Sequence, residues 1–142
     1  MSPALRSLIA LMVVGALASC ATPPEPYQPS PQAQQDLAKL LAGKSAGPRM
    51  SCLPNYQAND MQIVDGRTVA FKLGARTVYL MRLSPGCEQL AAGHYALLAK
   101  QSGGLGYCQG DIVHVFDPVS RFTIGSCGIE NITPYGVPGS RY

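Results

Sequence analysis

The sequence predicts a mainly β fold: a small antiparallel sheet or partly closed barrel with one short N-terminal helix, tied by two disulfides. Three observations lead there. Beyond residue 60, short runs alternate apolar and polar side chains with a period of two, the pattern of half-buried strands. Glycines break these runs at turn-like intervals. Four cysteines, Cys52, Cys87, Cys108 and Cys127, are spread over the same region, at intervals that suit bridges better than a metal site.

From the N-terminus, Arg6 precedes an apolar run over residues 8–18 that ends in Leu17-Ala18-Ser19-Cys20. A charged start, a short apolar centre and a small-residue exit are the parts of a secretory signal. A helical membrane span needs ~20 apolar residues, whereas this run supplies eleven and is followed by Pro23, Pro24 and Pro26. The four residues ending at Cys20 resemble the lipobox of bacterial lipoproteins. That resemblance implies removal of residues 1–19, acylation of Cys20 and firm anchoring by several chains, at ~0.8 kcal/mol per buried methylene. Ala21, in place of aspartate, is compatible with outer-membrane sorting in Gram-negative lipoproteins. The expected location is the cell envelope, lipid-anchored in the outer membrane and facing the periplasm, with the membrane as a partner through the acyl chains.

Removal of the first nineteen of 142 residues leaves 123, enough for one domain and a tether. Residues 20–30 are the tether: Pro23, Pro24, Pro26 and Pro29 keep it extended and semi-rigid. Ser30 can accept from the first free helical amides, and Pro31 suits the first helical position, where no donor is needed. Ala33, Leu37, Leu40 and Leu41 then form an apolar stripe at helical spacing, and Gly43 is a natural stop. Residues 31–43 are therefore a short helix, expected to dock on the domain through that stripe.

The domain proper covers residues 44–142. Gln62 to Val64 lead into Asp65-Gly66, a dipeptide favoured in two-residue hairpin turns. Val69, Phe71 and Leu73 alternate with polar or small neighbours, and Gly74-Ala75 reverses the chain into Thr77 to Leu83. With apolar side chains on both faces, that strand is expected at the centre of the sheet. A helical turn is expected over residues 87–93 and a strand over residues 94–100, with Tyr95 and Leu97 inward. A glycine-rich loop, residues 101–106, lacks the spacing of a nucleotide-binding fingerprint. Residues 111–117 and 121–129 complete a last hairpin around Pro118.

Four cysteines in an exported chain suggest two disulfides. Of the three possible pairings, Cys52–Cys87 with Cys108–Cys127 is expected, because Cys108 and Cys127 flank the last hairpin. A turn centred near Val119 sets Cys127 opposite Asp111, so a bulge near Gly110 or Gly125 has to absorb the offset. The intervals of 35, 21 and 19 residues contain no Cys-x-x-Cys pair, which argues against structural zinc and thioredoxin-like redox chemistry. No metal and no cofactor are expected.

Ten Lys or Arg after loss of Arg6, against eight Asp or Glu, leave a slight positive balance with no basic cluster, so nucleic acid is not an expected partner. The histidines, His94 and His114, both fall in strand patterns. Ser126 lies in Gly125-Ser126-Cys127-Gly128, which is not a nucleophile elbow. Asp65 and Asp117 sit at apparent turns, where aspartate serves the backbone. His114 and Asp111 are the best available pair for a small periplasmic hydrolase or metal-handling protein, but three residues apart on a strand they point to opposite faces.

The cysteines, Asp111 and the closing Ile129-Glu130-Asn131-Ile132-Thr133-Pro134-Tyr135 are similar to a family of small Gram-negative envelope proteins of unknown function. The shared pattern is a cysteine opening the domain, a strand pair ending in a cysteine, Cys-x-x-Asp and a final cysteine. Here these fall on Cys52, Cys87, Cys108 with Asp111, and Cys127. The resemblance implies a small β-rich fold with two disulfides and no assigned activity. The functional expectation is a non-catalytic envelope module that binds a protein, a glycan or another envelope component. Its surface is expected on the loops at residues 101–107 and 131–138, with Tyr107 and Tyr135 as anchors because tyrosine is enriched at binding hot spots.

Overall fold

The computed structural model describes residues 26–53, 60–99 and 106–140. The signal, Cys20 and most of the glycine-rich loop lie outside the described residues. Helix α1 (Pro31–Leu41) is followed by strands β1 (Ser45–Ala46), β2 (Cys52–Leu53), β3 (Met61–Asp65), β4 (Thr68–Leu73) and β5 (Thr77–Leu83). A 3-10 turn (Glu88–Ala92) leads to β6 (Ala96–Ala99), β7 (Tyr107–Cys108), β8 (Ile112–Asp117) and the long β9 (Phe122–Gly136).

The main sheet runs β3-β4-β5-β9-β8-β6, antiparallel throughout, with β1 added on β9 and a separate β2–β7 ribbon. Strand β9 joins the two halves. Its first half pairs with β8 and its second half with β5, so the sheet curls into a half-barrel about one continuous strand. The expected break after residue 129 is absent: residues 131–136 are sheet, not loop, paired with β5 and, at Tyr135 and Gly136, also with β1. β5 takes the central place that its two apolar faces demand.

Two bulges shape β9. One shifts the register between the pairs Val115–Gly125 and Phe116–Thr123, next to the glycine expected to absorb an offset. The other lies between Arg82–Asn131 and Leu83–Ile129 and makes Glu130 the extra residue. A bulge bends its strand and re-aims the inserted side chain, and the second bulge does so at the cleft described below.

The concave face carries the main core, which includes Val69, Phe71, Tyr79, Met81, Val113 and Ile132, all at most 1 % exposed. On the convex face Ala70, Val78 and Leu80 are covered by Leu37, Leu40 and Leu41 of α1, the docking expected from the stripe. Ser30 caps the helix by accepting from the Ala33 amide at 3.2 Å, and Gly43, at φ 68°, ends it. The convex face of the β6–β8–β9 half has no such cover among the described residues. There Ile112 and Leu98 are exposed, with His114 between Leu98 and Ser126 in the cross-strand register.

The disulfides differ from expectation. Cys52 is bonded to Cys108 and Cys87 to Cys127, in place of Cys52–Cys87 and Cys108–Cys127. Cys108 does not belong to the last hairpin: it lies in β7, where the β2–β7 register sets it directly opposite Cys52. Cys127 pairs across the hairpin with Val113 instead. Cys87 reaches Cys127 because the chain leaving β5 continues along β9, with the Ser84 amide donating to the Gly128 carbonyl at 2.9 Å.

The β3–β4 turn is shifted by one residue. Asp65 pairs with Thr68, so Gly66-Arg67 form the two-residue loop, and the Arg67 amide donates to Asp65 Oδ1 at 2.7 Å. Gly66 owes its place to close approach rather than to a positive φ, since a Cβ there would come within 2.5 Å of Glu88 Cα.

Candidate functional site

The groups expected to carry chemistry are not assembled. Asp111 precedes β8, and its carboxylate accepts from the Cys108 amide at 2.9 Å, closing the turn that sets β7 against β2. The Cys-x-x-Asp pattern is thus a turn device of the kind aspartate builds locally. His114 lies within β8, and His94 precedes β6, its Nδ1 3.1 Å from the Ala92 carbonyl oxygen. Asp117 accepts from the Ser120 hydroxyl and the Val119 amide at 2.7 and 2.9 Å, and these bonds, the hydroxyl's first, hold its carboxyl below the usual range. Among the described residues no three of His, Cys, Asp and Glu are grouped to hold a metal ion.

The two expected anchors are engaged in packing. Tyr107 is half-buried against the main core, its ring 5.4 Å from that of Phe71, and burial pushes its phenol pKa up. Tyr135 packs with the residues beneath α1. Neither stands on a loop, since Tyr107 is in β7 and Tyr135 in β9.

A concave site forms elsewhere, where the tether meets the end of β5. A cleft of about 380 Å³ is lined by Pro26, Tyr27, Arg67, Arg82, Leu83 and Glu130. Local structure fixes each wall. Arg67 is the second residue of the β3–β4 loop; its Nε donates to the Leu83 carbonyl at 3.1 Å and its Nη2 lies 3.4 Å from Glu130 Oε1. Arg82 is the cross-strand neighbour of Thr68 and donates from Nη1 to Thr68 Oγ1 at 2.7 Å. Glu130 is the bulged residue of β9.

The tether itself forms the remaining wall. The Tyr27 ring lies over the Arg67 guanidinium, 5.3 Å from the charged carbon, and its phenol lies near the Asp65 carboxylate. Burial first, and then the charge of Asp65, raise the Tyr27 phenol above its ordinary pKa of 10.0. The described end of the proline-rich segment, from Pro26, is therefore seated on the domain at Tyr27. The sequence gives little sign of this cleft, because Tyr27, Arg67, Arg82 and Glu130 are scattered along the chain and meet only when β4, β5 and β9 pair.

A family model described as "Family of unknown function (DUF6491)" matches residues 3–138. No curated protein and no solved structure matches the chain.

Proposed function

Since the chain belongs to that family of unknown function, its role rests on its own residues, and we propose that it is a lipid-anchored envelope protein acting as a non-catalytic binding module for an envelope protein, glycan or other envelope component. One observation carries the reading: the aspartates that could serve acid–base chemistry hold the fold. Asp65, Asp111 and Asp117 each accept from a backbone amide of their own turn at 2.7 to 2.9 Å. A carboxylate engaged in this way serves the backbone of its own turn rather than a substrate. Anchoring is supported by Leu17-Ala18-Ser19-Cys20 after the apolar run, and an oxidising compartment by two bridges within one small domain.

The test is a non-reducing peptide mass map of the protein purified from its own envelope. The expected spectrum contains acylated Cys20 at the mature N-terminus, with Cys52–Cys108 and Cys87–Cys127 peptides. An unmodified Cys20 would remove the anchor from the reading, and free thiols would remove the oxidising address. For the non-catalytic part, the double variant His94→Ala, His114→Ala is expected to retain stability within about 0.5 kcal/mol, as surface substitutions commonly do. A large loss of bound metal or of turnover in that variant would replace the binding module with an enzyme or metal carrier.

A further inference from the structure

We infer that the cleft between the seated tether and the β9 bulge is an anion site for a phosphate ester, with a phospholipid headgroup at the membrane surface as its source. The inference of a phosphate site stands on the cleft itself; the lipid source rests on the anchoring reading above.

The size and donor set point to such a ligand. About 380 Å³ falls within the range of small-molecule sites, roughly 300 to 1,000 Å³. Its walls bring together two guanidiniums from different parts of the chain. Each is oriented from behind: Arg67 by the Leu83 carbonyl and the overlying Tyr27 ring, Arg82 by the hydroxyl of the fully buried Thr68. A guanidinium oriented in this way keeps other donors of its planar fork for an oxyanion, and less side-chain entropy is lost when that anion arrives. A phosphate offers more oxygens than a carboxylate, so it can be met by two guanidinium forks at once.

Glu130 already tests the site from within. Its carboxylate is 3.4 Å from Arg67 Nη2, a long contact for a charge-assisted bond, and its side chain is 46 % exposed. Such an exposed pair is worth little, so an incoming phosphate with better geometry can displace it. Asp65, the other nearby carboxylate, does not line the cleft; it is engaged by the Arg67 amide.

Position suggests the source. Pro26 and Tyr27 form part of the wall, and Pro26 is only six positions from Cys20. At no more than ~3.6 Å per residue, six residues span roughly 20 Å, so an acylated Cys20 keeps the cleft within reach of the headgroup layer.

The experiment uses the full mature chain and its Cys20→Ser variant, which removes acylation without touching the cleft. Titration calorimetry with glycerol 1-phosphate and with inorganic phosphate, at fixed ionic strength, reads the site directly. Sedimentation of the Cys20→Ser chain with phosphatidylglycerol–phosphatidylcholine vesicles, against phosphatidylcholine alone, reads the lipid source. Arg82→Gln is expected to weaken binding at least tenfold, with Arg82→Lys between it and the wild type. Glu130→Gln, which removes the competing carboxylate, is expected to tighten binding several-fold, a gain that misfolding does not produce.

Binding of glycerol 1-phosphate and of the phosphatidylglycerol vesicles, both following this order, supports the whole inference. Binding of the soluble phosphates alone supports the site and overturns the lipid source. No binding at about 10 mM phosphate overturns the site, as does binding indifferent to Arg82→Gln and Glu130→Gln. An unacylated Cys20 in the mass map would leave these titrations unchanged, so the two readings fail separately.

Discussion

Asp111 shows how one side chain can hold two strands in register. Its carboxylate satisfies the Cys108 amide, and its own backbone extends the ladder, with its amide donating to the Cys108 carbonyl at 3.0 Å and its carbonyl accepting from Ile129 at 2.9 Å. Replacement by alanine leaves a part-buried amide without its acceptor, which costs about 1 to 3 kcal/mol. We therefore expect Asp111→Ala to lower the thermal midpoint clearly while Asp111→Asn, which keeps an acceptor oxygen, loses less; equal losses for the two variants would show that the bond does not matter. The motif was legible in the sequence, but its purpose was not. A carboxylate three residues before a histidine reads as chemistry until the turn that it closes is seen.

Among the elements, the tether and α1 form a single strap over the convex face. Its two fastenings are the leucine stripe on Ala70, Val78 and Leu80 and the Tyr27 contact with Asp65 and Arg67. The stripe was readable because a helix has a fixed period. The Tyr27 fastening was not, because an isolated tyrosine among prolines carries no periodic signal. Its pH dependence follows from the sign of the shift. The Tyr27 phenol is raised, so the folded chain favours the neutral ring; the fastening is fully present below pH 10 and is lost as pH rises through the folded value. The wild type is expected to be more stable than Tyr27→Phe up to about pH 10, the ordinary tyrosine value, and to lose that advantage above it, where the phenolate faces Asp65. Thermal midpoints of the two proteins across that range check this, and a pH-independent difference would refute it.

The whole molecule is held by two disulfides that join parts of the chain far apart in sequence. They close separations of 56 and 40 residues, worth about 4 kcal/mol each in the chain-entropy account of disulfide stabilisation. Cys52–Cys108 ties the β2–β7 ribbon, and Cys87–Cys127 ties the segment after β5 to the joining strand β9. Removing either bridge by paired alanine substitution is expected to lower stability by a few kcal/mol and to leave the other bridge formed, read by denaturant titration and by mass mapping. If deletion of one pair scrambled the other, the sheet would not be specifying the pairing on its own.

Local patterns determined the β class, the strapped helix, the β3–β4 and β8–β9 hairpins, the central β5 and the presence of two bridges, because strand and helix periods and turn residues act over a few positions. Strand β9 is where that ends. Its first half was visible as a hairpin arm; its second half pairs with β5, more than forty residues earlier, and nothing local in Asn131-Ile132-Thr133-Pro134-Tyr135 separates a strand from a loop. That one long-range pairing sets Cys87 beside Cys127, leaves Cys108 to Cys52, and turns the expected binding loop into sheet. It also places the bulged Glu130 beside Arg67 and Arg82. Strand partnership is chosen by burial summed over the whole sheet, a property of the folded chain, and so the bridges and the cleft were decided only there.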